Sequence, residues 1–349
     1  MSNNIFPVKP IVGELLKYTQ IGNRQTKIFT KADDVVDIDA LAEKGLQYKL
    51  DRLKDKTIGK SIRVGLLFLN PSMRTRMSTQ IAAKNLGMDV IVFNIDKEGW
   101  QLEFGDGVVM NSNKAEHIKE AAPVLGSYFD ILGIRTFPSL QDRQEDYSEL
   151  YINEFIKYCG VPVISLESAT RHPLQSLTDI ITIKEKLQEN PIDSGKRLKI
   201  VHTWAPHIKP CPQAVSNSFC EWITAWGKAD FVVANPEGMD LSPAFTKGAT
   251  ITHNQVEALK DADFVYVKNW SSYDWDGAYG KTYDMPDASS WLLTLDKLKV
   301  TNNAKVMHCL PVRRSVELTD EVLDSPGSIV TRQAGNRVWA AQAVLSELL

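Results

Sequence analysis

Short apolar runs alternate with amphipathic stretches along most of this chain. That alternation confines it to βαβ units wound right-handedly into mostly parallel sheets. The clearest unit is Val64–Leu86, VGLLFLNPSMRTRMSTQIAAKNL. The run from Val64 to Leu69 is short enough for a buried strand, Asn70-Pro71 turns the chain, and Ser72 is placed to cap a helix. Met77, Ile81, Ala82 and Leu86 share about half of the helical wheel as one apolar face, and Gly87 supplies the stop.

Two arginines, Arg74 and Arg76, stand in the first turn of this helix. That end already carries partial positive charge and free N–H groups, so guanidinium groups are unfavourable there. A bound anion resolves the conflict, because backbone N–H groups, the Ser72 and Thr75 hydroxyls and Arg74 can then point at one phosphate. The plainer explanation is a solvated arginine pair beside an ordinary capping serine. The Gly-x4-Gly-Lys pattern of a nucleotide loop is absent, and no glycine lies between Leu66 and Gly87. A small phosphate-bearing molecule therefore fits better than a nucleotide.

A length of 349 residues with 43% hydrophobic content suffices for two domains with cores of their own. The net charge of -3 and the lack of any Lys/Arg block argue against a nucleic-acid partner. Cys159, Cys211, Cys220 and Cys309 are scattered without CxxC spacing, so neither a disulfide framework nor a metal site is indicated. The first twenty residues lack the apolar core of a signal peptide and no stretch could span a bilayer, so a cytoplasmic, reducing location is expected.

Taken in order, residues 1–27 read as an extension carrying Pro7 and Pro10, and Lys31–Leu53 as a helix. Strand Asp89–Ile95 precedes a glycine-containing loop, Trp100–Lys114, which is a candidate binding loop. Helix Ala115–Tyr128, strand Asp130–Ile134 ending at Arg135, helix Tyr147–Tyr158 and strand Val161–Leu166 ending at Glu167 follow. Helix Leu174–Leu187 crosses to a second domain through a polar turn at Glu189–Lys196. The alternation then resumes with strands Lys199–Thr203, Phe231–Ala234 and Phe264–Val267 and one near Lys305–Met307, and it closes with helix Asn336–Leu348. The expected fold is α/β, two doubly wound parallel-sheet domains over 28–175 and 176–331, with 332–349 returning to the first. The site is expected in the cleft between them, at the carboxyl ends of the strands.

Reactive residues gather at those ends. His172-Pro173-Leu174-Gln175 opens a helix, His308-Cys309-Leu310-Pro311 ends a strand, and Arg337 begins the last helix, from which it can reach the first domain. Singly, His172 reads as a capped structural histidine and Cys309 as a small buried hydrophobe. Together they are harder to dismiss.

Ser72-Met73-Arg74-Thr75-Arg76, Arg135, His172-Pro173-Leu174-Gln175 and His308-Cys309-Leu310-Pro311, in this order, resemble the aspartate/ornithine carbamoyltransferase family from about Lys27 to the C-terminus. The resemblance implies a carbamoyl-phosphate domain, an amino-acid domain and a homotrimer with sites shared between neighbours. It also implies roles. Thr75, Arg135 and His172 would stabilise charge on the carbamoyl oxygen. Ser72, Met73, Arg74, Arg337 and a neighbour's Trp100 would hold the phosphate. Gln175, with the carbonyls of Cys309 and Leu310, would orient the carbamoyl NH2, and Pro173 and Leu174 complete that motif. No metal or organic cofactor is implied.

For the amine, Tyr266-Val267-Lys268-Asn269-Trp270, Trp204-Ala205-Pro206-His207 and Pro311-Val312-Arg313-Arg314 resemble the branch acting on α-N-acylated ornithine, in arginine biosynthesis. An acylated nitrogen is uncharged, whereas a free α-ammonium would be repelled by Lys268. Glu167, His207, Lys268, Leu310 and Arg313 are the implied acylornithine contacts. Within the branch, glutamate before Glu116-His117 accompanies N-acetylornithine and proline accompanies N-succinylornithine; Ala115 is neither. Alanine carries no charge against a succinyl carboxylate and leaves room for it. N-succinylornithine is therefore the expected substrate and N-acetylornithine the alternative. Two other classes fit the residues less well. A non-catalytic phosphate-binding protein would have lost Thr75, Arg135 or His172, and a dehydrogenase would need a Gly-x-Gly-x2-Gly that follows no strand here.

Overall fold

The computed structural model describes residues 13–191, 196–273 and 282–349. Half of the expected turn at Glu189–Lys196 and the start of the expected N-terminal extension lie outside these. Among the described residues the first sheet has six strands: β1 (Tyr18–Ile21), β2 (Arg24–Phe29), β3 (Arg63–Phe68), β4 (Asp89–Asn94), β5 (Ile131–Arg135) and β6 (Val163–Glu167). Their order is β1-β2-β6-β5-β3-β4, parallel except for the β1–β2 hairpin. A second, wholly parallel sheet holds β7 (Leu198–Trp204), β8 (Ala229–Ala234), β9 (Thr250–Thr252), β10 (Phe264–Lys268) and β11 (Lys305–Met307) in the order β9-β8-β7-β10-β11. The expected pair of doubly wound α/β halves is what forms. The central strands are apolar almost throughout because both faces are covered, and β5 and β6 are buried from end to end.

Helices α1 (Ile38–Leu50), α2 (Met73–Asn85), α3 (Ile118–Tyr128) and α4 (Leu150–Tyr158) flank the first sheet, and α6 (Ala214–Trp226) packs in the second half. Between the halves runs α5 (Pro173–Glu189), buried from Pro173 to Ile183, and α7 (Val330–Glu347) packs on α1, α2 and α5. The expected boundary at residue 175 thus falls inside one continuous helix. The contact of α2 with α7 is close because α2 buries only small residues there, Thr75, Ser78, Thr79, Ala82 and Ala83. Charged pairs also tie the halves, including Asp39 with Lys184 at 2.7 Å and Arg171 with Glu221 at 3.1 Å.

Several expectations need correction. Residues 18–27 are not an extension but the hairpin that edges the first sheet. The helix expected over Lys31–Leu53 is a 3-10 turn at Ala32–Asp34, then α1, whose start is set by Asp37 accepting from Ala40 N–H. The helix over Tyr147–Tyr158 breaks at Glu149 (φ 54°), whose carboxylate collects Ser168 Oγ at 2.7 Å and Thr170 N–H at 2.9 Å, steadying the turn before His172. The helix expected from Ala115 starts at Ile118, because Glu116–His117 pairs with Leu102–Glu103 as a short parallel ladder. The last helix starts at Val330, which puts Arg337 two turns inside it. On α2, Ala82 and Leu86 are buried, but Met77 and Ile81 face outward. No helix among the described residues is long and apolar enough to cross a membrane.

Candidate active site

The loop after β3 delivers Ser72 as the cap of α2, its Oγ accepting from Thr75 N–H at 3.3 Å. The side chain of Arg74, in the next position but one, makes no hydrogen bond or ion pair with another described residue. Thr75 turns inward and is fully buried. Arg337 reaches across from α7: Nη2 donates to Thr75 Oγ1 at 2.8 Å and Nη1 to Gln175 Oε1 at 2.5 Å. Burial, and then the like charge of Arg135, push Arg337 down to about 10. A guanidinium under that pressure marks a site short of negative charge.

Arg135 ends β5 and Glu167 ends β6, so the parallel register sets them side by side as a buried ion pair. His172 caps α5 by position only, since its ring makes no bond to the helix amides. Its Nε2 lies 3.3 Å from Arg337 Nη1 and 3.6 Å from Glu167 Oε2. With Arg337 donating to Nε2, the hydrogen-bond pattern assigns the ring proton to Nδ1. Burial first, then Arg337 and Arg135, hold this imidazole well below the usual histidine range, so it is neutral. His172 Nδ1, Arg135 Nε and Arg337 Nε are all buried without a hydrogen-bond partner among the described residues. Such unmatched donors are rare in folded interiors, and three around one cluster fit an anionic ligand.

The second half supplies the opposite wall. His308 follows β11, and its neutral ring bridges two groups: Nδ1 accepts from Leu310 N–H at 2.9 Å and Nε2 donates to Glu317 Oε2 at 2.7 Å. Leu310 has φ 57° and precedes a cis proline. Arg313 N–H also donates to Glu317, at 3.0 Å, so this fully buried carboxylate closes the 308–317 loop on itself. Lys268 ends β10. Burial works against its ammonium, but Cys309, Cys211, Glu317 and Glu167 around it more than offset that and raise its pKa. Arg313 Nε donates to His207 Nε2 at 3.3 Å. His207 is held below the usual histidine range, mainly by burial, and serves Arg313 as an acceptor.

Two expected residues stand apart. Trp100 is 56% exposed and donates to Glu116 Oε2 at 2.9 Å. Ala115, also exposed, donates its N–H to Gln101 O at 3.1 Å on the same short ladder. Neither bonds to the arginine cluster. Three residues that the motifs did not single out belong with the cluster: Glu317, Asp179 and Gln333. Asp179 accepts from both Gln175 and Gln333 at 2.7 Å. A lone carboxylate among Leu177, Ile180 and Ile181 was the available signal for Asp179.

The buried rings carry a stability prediction. His172, His202 and His308 are all held below the usual histidine range, chiefly by burial, His202 at about 3. In the unfolded chain each takes a proton near about pH 6.5, so below that value the unfolded state binds more protons and stability falls. Asp179, lifted to about 7 by burial, and Asp34, also raised, act in the opposite direction. Three imidazoles prevail over the buried carboxyls between about pH 6.5 and 5. Calorimetry of the unliganded protein is expected to show Tm falling over that range; a flat or rising Tm contradicts this.

Residues 27–185 match the aspartate/ornithine carbamoyltransferase carbamoyl-P binding domain, and residues 212–348 match the Asp/Orn binding domain of the same family. An N-succinylornithine carbamoyltransferase of Bacteroides fragilis is 45% identical over 323 residues, 93% of this chain and 98% of that one. An N-acetylornithine carbamoyltransferase of Xylella fastidiosa is 35% identical over 89% of this chain and 95% of its own length. A solved N-acetyl-L-ornithine transcarbamylase mutant, complexed with carbamyl phosphate and N-succinyl-L-norvaline, superimposes with a TM-score of 0.86 at 32% identity. It covers 93% of this chain and 100% of its own.

Proposed function

Since this chain belongs to the aspartate/ornithine carbamoyltransferase family, we propose that it carries the carbamoyl group of carbamoyl phosphate to the δ-amine of N-succinylornithine, giving N-succinylcitrulline and phosphate. The observation that carries the reading is the cluster of buried, unmatched donors on Arg135, His172 and Arg337 beside the unpaired Arg74. The relative with the succinyl substrate is also more similar than the one with the acetyl substrate.

In the reaction the neutral amine attacks the carbamoyl carbon and negative charge grows on the carbamoyl oxygen. Thr75 Oγ1 accepts from Arg337, which leaves its own hydroxyl proton free to donate there. His172 Nδ1–H and Arg135 are the other two donors, each contributing about 3–4 kcal/mol. Ser72, the Met73 and Arg74 amides, and the Arg74 and Arg337 side chains take the phosphate, with Trp100 of a neighbouring copy. Gln175 Oε1 and the carbonyls of Cys309 and Leu310 orient the carbamoyl NH2, on a turn built by His172, Pro173 and Leu174. The departing phosphate accepts the amine's proton. Glu167, Leu310, Lys268, His207 and Arg313 face the acylornithine, and the cations for its carboxylates are Lys268 and Arg313. Four unpaired cysteines agree with a reducing cytoplasm.

We propose a homotrimer that shares these sites. Support comes from an apolar stripe on the outside of α2, with Met73 69% and Met77 56% exposed, next to Ile91 and Phe93 on the edge strand β4. A patch of that kind invites burial against another copy. Trp100 and Ala115 lie together on a ladder that makes no bond to their own cluster, which suits delivery to a neighbour's site. Mixing the inactive variants Trp100→Ala and Arg135→Ala is expected to restore part of the activity, because some sites then receive both intact halves. No recovery once subunits are shown to exchange contradicts sharing.

Ala115 tests the substrate. It does not begin a helix, so a glutamate there gains nothing from a helix N-terminus. Ala115→Glu places a carboxylate against the succinyl carboxylate and fills its space. With each 1.4 kcal/mol worth about tenfold, the ratio of kcat/KM for N-succinylornithine over N-acetylornithine is expected to fall by about tenfold or more. An unchanged ratio removes residue 115 from the substrate site.

A further inference from the structure

Asp179 lies one turn beyond Gln175 on α5, fully buried. Its Oδ1 accepts from Gln175 Nε2 and Gln333 Nε2, both at 2.7 Å. Gln175 passes the connection on by accepting from Arg337 Nη1 at 2.5 Å, and Gln333 by accepting from the His308 N–H at 2.9 Å. The carboxyl bonds to no cation among the described residues. An amide whose NH2 is spent on an acceptor must turn its C=O the other way. One oxygen of Asp179 therefore sets both glutamines. It aims Gln175 Oε1 at Arg337, and it aims Gln333 Oε1 at the strand end carrying Cys309 and Leu310.

We propose that Asp179 is a positioning residue that registers the two walls of the cleft through Gln175 and Gln333. This rests on the reading of Gln175, Cys309 and Leu310 as the acceptors for the carbamoyl NH2. The required property is an acceptor oxygen, not a charge. Both donors meet Oδ1, while Oδ2 makes no hydrogen bond of normal geometry and has the Tyr266 hydroxyl nearby. Asparagine keeps that oxygen. Leucine, similar in shape, leaves two buried amides unpaired and free to turn.

The test compares Asp179→Asn, Asp179→Leu and Gln333→Leu. Carbamoyl phosphate Kd is read by calorimetry, and kcat and KM are read with N-succinylornithine. Asp179→Leu is expected to weaken carbamoyl phosphate binding and to lower kcat by about tenfold to a hundredfold each, with KM for N-succinylornithine moved by less than about threefold. Asp179→Asn is expected to stay within about threefold of the parent in all three quantities. Gln333→Leu, which frees only the His308 arm, is expected to lower kcat by about tenfold and spare carbamoyl phosphate affinity. The proposal is overturned if Asp179→Asn is as damaged as Asp179→Leu, or if Gln333→Leu keeps the parent kcat. It is equally overturned if a folded Asp179→Leu keeps the parent Kd. Should Asp179→Leu not fold, the other two variants decide. If the parent turns over a different amine, the substrate reading fails, while carbamoyl phosphate Kd still judges Asp179.

Discussion

Arg135→Ala is expected to lower kcat by about a hundredfold to a thousandfold, the cost of one donor aimed at a developing oxyanion. It should also destabilise the unliganded protein by about 3–5 kcal/mol, because it strands a buried carboxylate. Glu167 is 6% exposed and its partner in the ion pair is Arg135. The two losses have different origins, and a second substitution separates them. Adding Glu167→Gln to Arg135→Ala removes the uncompensated charge, so Tm is expected to recover most of its loss while kcat does not. If thermal unfolding shows Arg135→Ala as stable as the parent, the pair is not buried as described. If kcat returns with the double variant, Arg135 is not a donor to the reacting group.

Arg74→Ala is the counterpart, a large functional loss without a structural one. Its guanidinium sits in the first turn of α2, where the helix already presents positive charge, and has no partner there. Removing it costs the fold nothing and relieves a repulsion, so Tm without ligand is expected to hold or rise. A charge-assisted contact to phosphate is worth about 1.5–3 kcal/mol, so carbamoyl phosphate Kd is expected to rise about tenfold to a hundredfold. Calorimetry reads both quantities on the same sample. Unchanged affinity would show that the anion sits elsewhere, and a marked fall in Tm would show that Arg74 has a structural partner.

What was legible in the sequence was local. The strand, Asn-Pro turn and capped helix at Val64–Leu86 are written in neighbouring residues, as are the helix start at His172-Pro173 and the strand end at His308. Where one strand end implied the next, as with Arg135 and Glu167, parallel register did the rest. The failures share a cause in long-range contact. Tyr18–Phe29 alternates too weakly to read as strands, and becomes a hairpin only because β6 offers an edge. Met77 and Ile81 share a helical face with Ala82 in the periodicity, which cannot tell the side packed on α7 from a side left exposed. The local sequence puts Arg337 at a helix start, but its reach to Thr75, 262 positions away, depends on small side chains on α2. Asp179, Gln333 and Glu317 carry no motif. Their roles exist only through hydrogen bonds between segments that the fold brings together.

The most direct test of the proposed reaction is ureido-product formation from carbamoyl phosphate with ornithine, N-acetylornithine and N-succinylornithine in parallel. The highest kcat/KM is expected for N-succinylornithine, by about tenfold or more over N-acetylornithine. No turnover is expected of ornithine, whose α-ammonium would be repelled by Lys268. Ornithine or N-acetylornithine carbamoylated as well as N-succinylornithine, or no product from any of the three, would contradict it.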